Sequence, residues 1–171
     1  FKRLGFDERT GIDVLEDEKG LLGSFKTDLD IACKAFGQGI SITLLHLATA
    51  FSAFANGGYI PRPFLVTSIV DEDGRVIKDI SNPYLRKVFD AWVANTVKSV
   101  LRDVVLRGTG KRAEIPGFGI CGKTGTSQKL VNGRYSRDKV YSIFVGFFPY
   151  HSPRFLIAVL VDEPKLGHYG G

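Results

Sequence analysis

The sequence predicts an α+β domain in which helices pack on an antiparallel sheet. Two observations support this prediction. Apolar residues follow a helical period in two segments before residue 107, and apolar runs separated by turn residues dominate after residue 119. The chain has 171 residues, of which 44% are apolar and 24% charged, as is usual for one folded globular domain.

The first long helix is predicted over residues 43–55, which are apolar on most sides and therefore typical of a core helix. Ser41 or Thr43 can cap its N-terminus, and the sequence Asn56-Gly57-Gly58 is expected to end it, because these residues tolerate positive φ. A short helix is predicted before it, over residues 28–34.

A second long helix is predicted over residues 83–106, where apolar residues recur at intervals of three and four. Ser81 or Asn82 is its expected N-cap, Pro83 falls in its first turn, and Gly108 ends it. Between the two long helices, residues 65–80 predict a hairpin with an acidic turn.

Three further strands are predicted over residues 120–128, 140–148 and 154–161. The dipeptide Asn132-Gly133 is a turn signal between the first two. The last run is continuously apolar, which is typical of a strand covered on both faces. All apolar runs are much shorter than the ~20 residues that a membrane-spanning helix needs.

Charge and cysteine content exclude several classes of protein. The net charge is +5, but Lys and Arg are scattered and do not alternate with aromatic residues, so nucleic acid is not an expected partner. Cys33 and Cys121 belong to no C-x-x-C motif, and the histidines stand alone, so neither a metal nor another cofactor is expected. Both thiols are predicted to be free and buried.

His46 lies on the first long helix and has two interpretations. It is either a catalytic base or a hydrogen-bonded structural histidine. We favour the structural interpretation, because no acidic or nucleophilic residue lies near it in the sequence.

The segment Gly122-Lys123-Thr124-Gly125-Thr126-Ser127 is the most informative about chemistry, and two interpretations compete for it. Residues 117–124 fit the phosphate-loop pattern G-x-x-x-x-G-K-[ST]. That motif needs a buried strand before it and a helix after it. The residues before the pattern include Pro116 and are therefore unsuited to a central strand. The residues after it include Gly125, Asn132 and Gly133 and are unsuited to a helix, so the context argues against a phosphate loop.

The second interpretation is the Lys-Thr-Gly strand of serine acyltransferases that react with β-lactams. Lys123 would place a cation in the cleft, where it holds a substrate carboxylate and favours proton transfer. Thr124 and Thr126 would offer hydroxyls to the same carboxylate, and Gly125 would let the substrate backbone lie close to the strand. The Thr126 N–H would be one of two oxyanion donors. Lys123 and Thr126 are thus the predicted catalytic residues, and residues 123–126 the predicted substrate-binding set.

Other segments, in order along the chain, make the match more specific. They are Phe36-Gly37-Gln38-Gly39-Ile40-Ser41-Ile42-Thr43, Leu47-Ala48, Ala53-Phe54-Ala55-Asn56-Gly57-Gly58, Gly108-Thr109-Gly110-Lys111, Cys121-Gly122-Lys123-Thr124-Gly125-Thr126, Val145-Gly146-Phe147, Pro153-Arg154-Phe155, Val161-Asp162-Glu163-Pro164 and Tyr169-Gly170-Gly171. Together they resemble the class B penicillin-binding proteins over the whole chain.

The resemblance implies part of the penicillin-recognising fold, shared with β-lactamases, and D,D-transpeptidase activity on stem peptides of peptidoglycan that end in D-Ala-D-Ala. It implies that β-lactams acylate the active-site serine, and that other proteins of cell-wall synthesis are partners. It also implies a catalytic domain outside the cytoplasmic membrane, in the periplasm, with an anchor in that inner membrane.

The family has three active-site motifs, and this chain carries only the third, the Lys-Thr-Gly motif. The only literal S-x-x-K match is Ser136-Arg137-Asp138-Lys139, which follows Lys123 instead of preceding it and lies where no helix start is expected. No S-x-N match is present. We therefore expect residues 1–171 to be the C-terminal portion of a transpeptidase domain that continues beyond both ends, and we expect the isolated chain not to be acylated.

Two other functions remain open at this point. A penicillin-sensing receptor domain would share the Lys-Thr-Gly strand. A non-catalytic scaffold in a division or elongation complex would use exposed segments, such as the turn at residues 71–74 or the loop at residues 5–26, for partner contacts.

Overall fold

A computed structural model describes residues 1–80 and 85–165. The predicted features at Ser81, Asn82, Pro83 and Tyr169-Gly170-Gly171 lie outside these residues. The helices are α1 (Asp28–Ala35), α2 (Leu44–Ala55) and α3 (Ala91–Arg107). The strands are β1 (Tyr59–Pro61), β2 (Ser68–Val70), β3 (Val76–Asp79), β4 (Leu85–Lys87), β5 (Cys121–Val131), β6 (Arg134–Phe148) and β7 (Phe155–Asp162).

The main sheet is antiparallel, with strand order β5-β6-β7. Val131 pairs with Arg134 across a two-residue turn, in which Asn132 and Gly133 have φ angles of 50° and 78°. Positive φ at both residues is what a tight hairpin turn requires. The three predicted strands and this turn are therefore confirmed. β5 and β6 are longer than predicted, because pairing continues to the turn past a register shift between Gln128 and Leu130.

Helices α2 and α3 pack on this sheet and form the core with it. Leu101 of α3, Cys121 of β5 and Phe147 of β6 are buried together, and Phe51 and Phe54 of α2 pack against them. These contacts confirm the predicted α+β arrangement of helices on an antiparallel sheet. α1 and α2 also lie where the sequence predicts them. Thr43 caps α2, since its hydroxyl accepts a hydrogen bond from the His46 N–H at 3.2 Å.

The helix predicted over residues 83–106 is wrong at its N-terminal end. α3 begins at Ala91, and Leu85–Lys87 is strand β4, which pairs with β1. The backbone N–H groups of Val88 and Phe89 both donate to the Gly58 carbonyl, at 2.8 and 3.1 Å. Pairing with β1 thus determines the conformation here, and the apolar spacing that suggested a helix comes from a strand and a turn.

The second hairpin consists of β2 and β3, as predicted, although both strands are shorter than the predicted runs. Every residue in these two strands is exposed.

β7 departs from its prediction as well. Phe155, Ile157 and Val159 are 61, 49 and 47% exposed, so the described residues do not cover both faces of this strand. The reason is that β7 lies at the edge of the sheet, where α2 packs against it and β6 is the one described strand that pairs with it.

Candidate active site

The predicted site residues lie in consecutive positions on β5, the other edge strand of the main sheet. Side chains alternate between the faces of a strand, which places Lys123 and Gly125 on the face of the buried Cys121, and Thr124 and Thr126 on the opposite face. Lys123, Gly125 and Thr126 are exposed, and Thr124 is partly buried. Because β5 is an edge strand, side chains from both faces border its open edge, where an extended peptide can add to the sheet.

Two hydrogen bonds fix the start of this motif. The Lys123 Nζ donates to the Thr124 carbonyl at 2.8 Å, and the Thr109 and Thr124 hydroxyls lie 2.8 Å apart. Thr109 belongs to the loop between α3 and β5. Thr109 was not among the predicted site residues, although it lies in the segment Gly108-Thr109-Gly110-Lys111 that carries part of the family resemblance.

Thr109→Val is expected to slow acylation of the full-length protein by a β-lactam about three- to tenfold, as the loss of one neutral hydrogen bond would predict. The valine keeps the volume at position 109 but cannot hold the Thr124 hydroxyl in place. Stopped-flow measurement of the acylation rate tests this, with Thr109→Ser as the variant that keeps the hydroxyl. Equal rates for both variants and the unchanged protein would contradict a positioning role.

A cleft of about 580 Å³ continues from the motif along β5. Ser127, Gln128 and Lys129 of β5 line one side, and a glycine-rich segment that includes Gly37, Gln38 and Gly39 lines the other. Gly37 and Gly39 have φ angles of 91° and 68°, so the segment both turns the chain and borders the cleft.

Lys129 occupies the cleft border as a fully paired cation. Its Nζ lies 2.8 Å from the Asp162 Oδ1 and 2.8 Å from the Glu163 Oε1, and 4.9 Å from the centre of the Tyr141 ring. The hydrogen bonds to Asp162 and Glu163 raise the pKa of Lys129 above its ordinary value. This network links β5 to the end of β7, and it neutralises the charge of Lys129.

An ion pair between α3 and the loop before β5 supports the start of the strand. The Arg102 guanidinium contacts both carboxylate oxygens of Glu114 and also donates to the Ile120 carbonyl at 2.8 Å. The hydrogen bond from Arg102 lowers the pKa of Glu114, so the pair stays charged at neutral pH. Ile120 immediately precedes β5, so the hydrogen bond from Arg102 fixes the position of the start of β5 relative to α3.

On the face of the sheet that carries Thr124 and Thr126, two glycines allow β5 and β6 to pack closely beneath the Phe144 ring. Gly122 pairs with Gly146. A Cβ on Gly122 would overlap the Phe144 ring and lie 2.9 Å from the Val145 carbonyl oxygen, and one on Gly146 would lie 2.6 Å from the Cys121 carbonyl oxygen. Gly125 differs, because the nearest atom to a Cβ there would be the Ile143 Cβ at 3.9 Å. The fold therefore needs glycine at positions 122 and 146 but not at position 125.

His46 is structural, as the sequence favoured. It is 2% exposed, its Nδ1 lies 2.8 Å from the Thr43 hydroxyl, and its Nε2 lies 2.8 Å from the Glu8 carbonyl. A carbonyl can only accept, so Nε2 carries a proton and donates it to Glu8. The Nε2 contact with Glu8 holds the N-terminal segment to α2, and the Nδ1 contact stays within the start of that helix.

The S-x-x-K match at residues 136–139 lies within strand β6 and not at the start of a helix. The Ser136 hydroxyl accepts from the backbone N–H groups of Asp138 and Lys139, at 3.3 and 3.0 Å. The Lys139 Nζ lies 3.7 Å from Glu163. This arrangement agrees with the interpretation of Ser136 as a chance match, although we had expected a connection here and the structure has a strand.

The two cysteines are free, but only one is buried. Burial raises the pKa of Cys121 to about 11. Cys33 is partly exposed, so the prediction of two buried thiols is wrong for Cys33, which lies on the short helix α1 near the surface. Among residues 1–80 and 85–165, no cluster of His, Cys, Asp and Glu side chains has the arrangement of a metal site.

The phosphate-loop interpretation fails on the structure, since Lys123 and Thr124 lie inside strand β5, which continues to Val131 where the motif needs a helix. In the described part of the chain, no helix has the length and apolarity needed to cross a bilayer.

The helix-backed antiparallel sheet with a Lys-Thr-Gly edge strand is the penicillin-recognising fold. A family model for the penicillin-binding protein transpeptidase domain matches residues 1–171. The chain belongs to this family.

Two curated relatives illustrate the match. Stage V sporulation protein D of Bacillus subtilis is 33% identical over 167 residues, which cover 96% of this chain and 26% of that protein. A probable peptidoglycan D,D-transpeptidase, PenA, of Neisseria gonorrhoeae is 32% identical over 175 residues, covering 100% of this chain and 28% of that protein. The chain therefore spans about a quarter of the length of these relatives.

Solved structures of penicillin-binding proteins also resemble this chain. Penicillin-binding protein 3 of Mycobacterium tuberculosis in its apo form has a TM-score of 0.90 and 31% identity, over 99% of this chain and 40% of that chain. The same protein complexed with ampicillin has a TM-score of 0.89 and 32% identity, over 95% of this chain and 38% of that one.

Proposed function

We propose that the protein containing this chain is a serine-type D,D-transpeptidase that cross-links peptidoglycan stem peptides and is acylated by β-lactams. The observation that carries the proposal is the Lys123-Thr124-Gly125-Thr126 segment, exposed except for the partly buried Thr124, on the edge strand β5 next to a cleft in a chain of this family. The names of the relatives, which include a D,D-transpeptidase and an ampicillin complex, support the reaction and the inhibitor class.

Each residue of the segment has a proposed role. The Lys123 ammonium attracts the C-terminal carboxylate of the substrate and favours proton transfer at the serine. The Thr124 and Thr126 hydroxyls donate to the same carboxylate. Gly125 lets the substrate backbone lie against β5, and the Thr126 N–H is one donor to the oxyanion that develops at the attacked carbonyl.

The reaction has two acyl transfers. The serine oxygen attacks the carbonyl between the two D-Ala residues, and the terminal D-Ala leaves as an amine. An amine of a neighbouring stem peptide then attacks the serine ester, which forms the cross-link and regenerates the hydroxyl. We propose that the serine, its activating lysine and the S-x-N residues come from a part of the protein outside this chain, because the segment 136–139 lies in β6.

Fluorescent penicillin tests this proposal. The full-length protein is expected to carry label that survives denaturation, and the isolated chain, residues 1–171, is expected to carry none. An unlabelled full-length protein would remove the transpeptidase activity and favour a scaffold. Label on the isolated chain would show that it contains its own nucleophile, with Ser136 as the first residue to mutate. Release of D-Ala from a pentapeptide, with transfer to an amine, distinguishes an enzyme from a penicillin sensor.

We also propose that the site works outside the cytoplasmic membrane, on the periplasmic side, and that the protein is anchored in that membrane and associates with other cell-wall synthesis proteins. The support is the proposed substrate, which is polymerised outside that membrane. Labelling of intact spheroplasts by a fluorescent penicillin that cannot cross membranes checks the location, and label that appears only after lysis would contradict it.

A further inference from the structure

The hairpin of β5 and β6 has an inner part and an outer part. In the inner part, residues 121–128 pair with residues 140–147 within the main sheet. The outer part comprises residues 130–135, which include the turn. Because the pairing of β6 with β7 begins at Tyr141, the outer part extends beyond the three-stranded sheet.

A register shift separates the two parts. Lys129 of β5 lies there opposite residues 136–139 of β6, because the pairing resumes at Leu130 and Tyr135. An irregularity of this kind interrupts the hydrogen-bonded ladder and bends the strand that carries the additional residues. The orientation of the outer part relative to the main sheet therefore depends on side-chain contacts at the register shift.

Lys129 makes the main contacts of this kind. Its Nζ lies 2.8 Å from the Asp162 Oδ1, at the end of β7, and 2.8 Å from the Glu163 Oε1, and the Tyr141 ring lies 4.9 Å away. Glu163 has a φ angle of 47°, and its N–H donates to the Val140 carbonyl at 3.0 Å, which holds this residue at the register shift. The Lys129 side chain is only 20% exposed, and a network of several charges contributes more than a single exposed ion pair.

The outer part lines the far end of the cleft. Leu130 and Tyr135 line the cleft on the β5 side, and Leu21, which pairs with Ser41, lines it on the side of the glycine-rich segment. Leu130 is 64% exposed and Tyr135 is 54% exposed. This end of the cleft is therefore more apolar than the Lys-Thr-Gly end, and it suits an apolar part of a ligand.

The proposed placement of the substrate directs its upstream residues toward this end. The C-terminal carboxylate is assigned to residues 123–126, and Cys121 and Gly122 at the start of β5 are buried. A peptide that adds to the edge of β5 therefore continues along the exposed remainder of the strand, by about 3.3 Å per residue. The residues upstream of D-Ala-D-Ala then reach Leu130 and Tyr135.

We propose that Leu130 and Tyr135 bind the donor stem peptide upstream of D-Ala-D-Ala. Lys129 is a positioning residue, because its contacts with Asp162 and Glu163 hold the outer part beside the cleft. Its own charge is neutralised by these two carboxylates, so it acts through the residues that it positions. The proposal rests on the transpeptidase function proposed above and adds a subsite to the same cleft.

Two donor peptides test the subsite in the full-length protein. One is a pentapeptide that ends in D-Ala-D-Ala, and the other is the N-acetylated tripeptide with the same last three residues, which stops short of Leu130. Release of D-Ala gives kcat/KM for each peptide. The rate of acylation by benzylpenicillin, which has no peptide upstream of its reactive carbonyl, reports on the Lys-Thr-Gly end alone.

The variants separate contact from positioning. Leu130→Ala removes one contact, Lys129→Met breaks the ion pairs but keeps the apolar stem, and Lys129→Arg keeps the charge. Arg75→Met is the control, because it removes an exposed ion pair with Asp73 in the β2–β3 hairpin.

The unchanged protein is expected to prefer the pentapeptide about three- to thirtyfold, as the burial of one or two apolar contacts would produce. Leu130→Ala and Lys129→Met should each reduce this preference by lowering kcat/KM for the pentapeptide alone. Lys129→Arg should retain part of it, and Arg75→Met all of it. In the double variant, Leu130→Ala should add little to Lys129→Met, because a positioning residue acts through the contact that it holds.

Two results would overturn the inference. One is an equal kcat/KM for the two peptides in the unchanged protein, which would exclude a subsite upstream of D-Ala-D-Ala. The other is a Lys129→Met variant that reacts more slowly with the tripeptide and with benzylpenicillin in the same proportion as with the pentapeptide, which would make the ion pairs only a structural support of β5. A protein that accepts no penicillin and releases no D-Ala would instead contradict the proposed function itself.

Discussion

Lys123→Ala is expected to slow acylation of the full-length protein by a β-lactam about hundredfold or more, which is the usual cost of removing one group that stabilises developing charge in an active site. The variant loses the cation that attracts the β-lactam carboxylate and favours proton transfer. Stability should change little, because Lys123 is exposed and its ammonium contacts only the neighbouring Thr124 carbonyl among described hydrogen bonds. The measurement is the second-order rate constant of labelling by fluorescent penicillin.

Lys78→Ala is the control for this variant. Lys78 is an exposed lysine on β3, a strand that pairs only with β2 among the described strands, and its loss should leave acylation unchanged. If Lys123→Ala is acylated at the rate of the unchanged protein, the assignment of Lys123 to the active site is wrong.

Gly146→Ala is expected to have the second large effect, this time on stability. Its Cβ would lie 2.6 Å from the Cys121 carbonyl oxygen and 2.9 Å from the Phe144 Cε1, so the backbones of β5 and β6 must move apart. Overpacking of this kind typically costs about 1–3 kcal/mol of unfolding free energy. Because β5 carries Lys123, the displaced strand should also bind penicillin more slowly. The temperature at which the full-length protein loses its penicillin labelling measures the stability effect.

Gly125→Ala is the matched variant for this prediction. A Cβ at position 125 meets its nearest neighbour at an ordinary 3.9 Å, so the thermal midpoint should not change. Labelling should nevertheless slow by about tenfold to a hundredfold, because the methyl group stands where the substrate backbone is proposed to lie. A lower midpoint for Gly125→Ala, equal to that of Gly146→Ala, would refute the packing argument for the glycine pair.

Some of the fold follows from local signals. The helix α2 has both a capping threonine and terminal glycines, and the β5–β6 turn has Asn132 and Gly133, whose positive φ angles the structure shows. Such signals involve residues close in sequence, so the sequence alone is enough to predict them. The start of α3 was mistaken because Leu85 and Val88 match a helical spacing as well as they match a strand and a turn, and only pairing with β1 decides between the two.

In the candidate site, too, some features follow from the sequence and others depend on tertiary contacts. The sequence by itself determined the Lys123-Thr124-Gly125-Thr126 motif, its place on a strand and the family to which the chain belongs, because these depend on residue type and order. Only the tertiary structure decided that Thr109 contacts Thr124, that Asp162 and Glu163 neutralise Lys129, and that Lys34 is buried. These contacts join segments that are far apart in the chain, or they depend on burial. Only folding brings such side chains together, so a local pattern of residues cannot predict the distances between them.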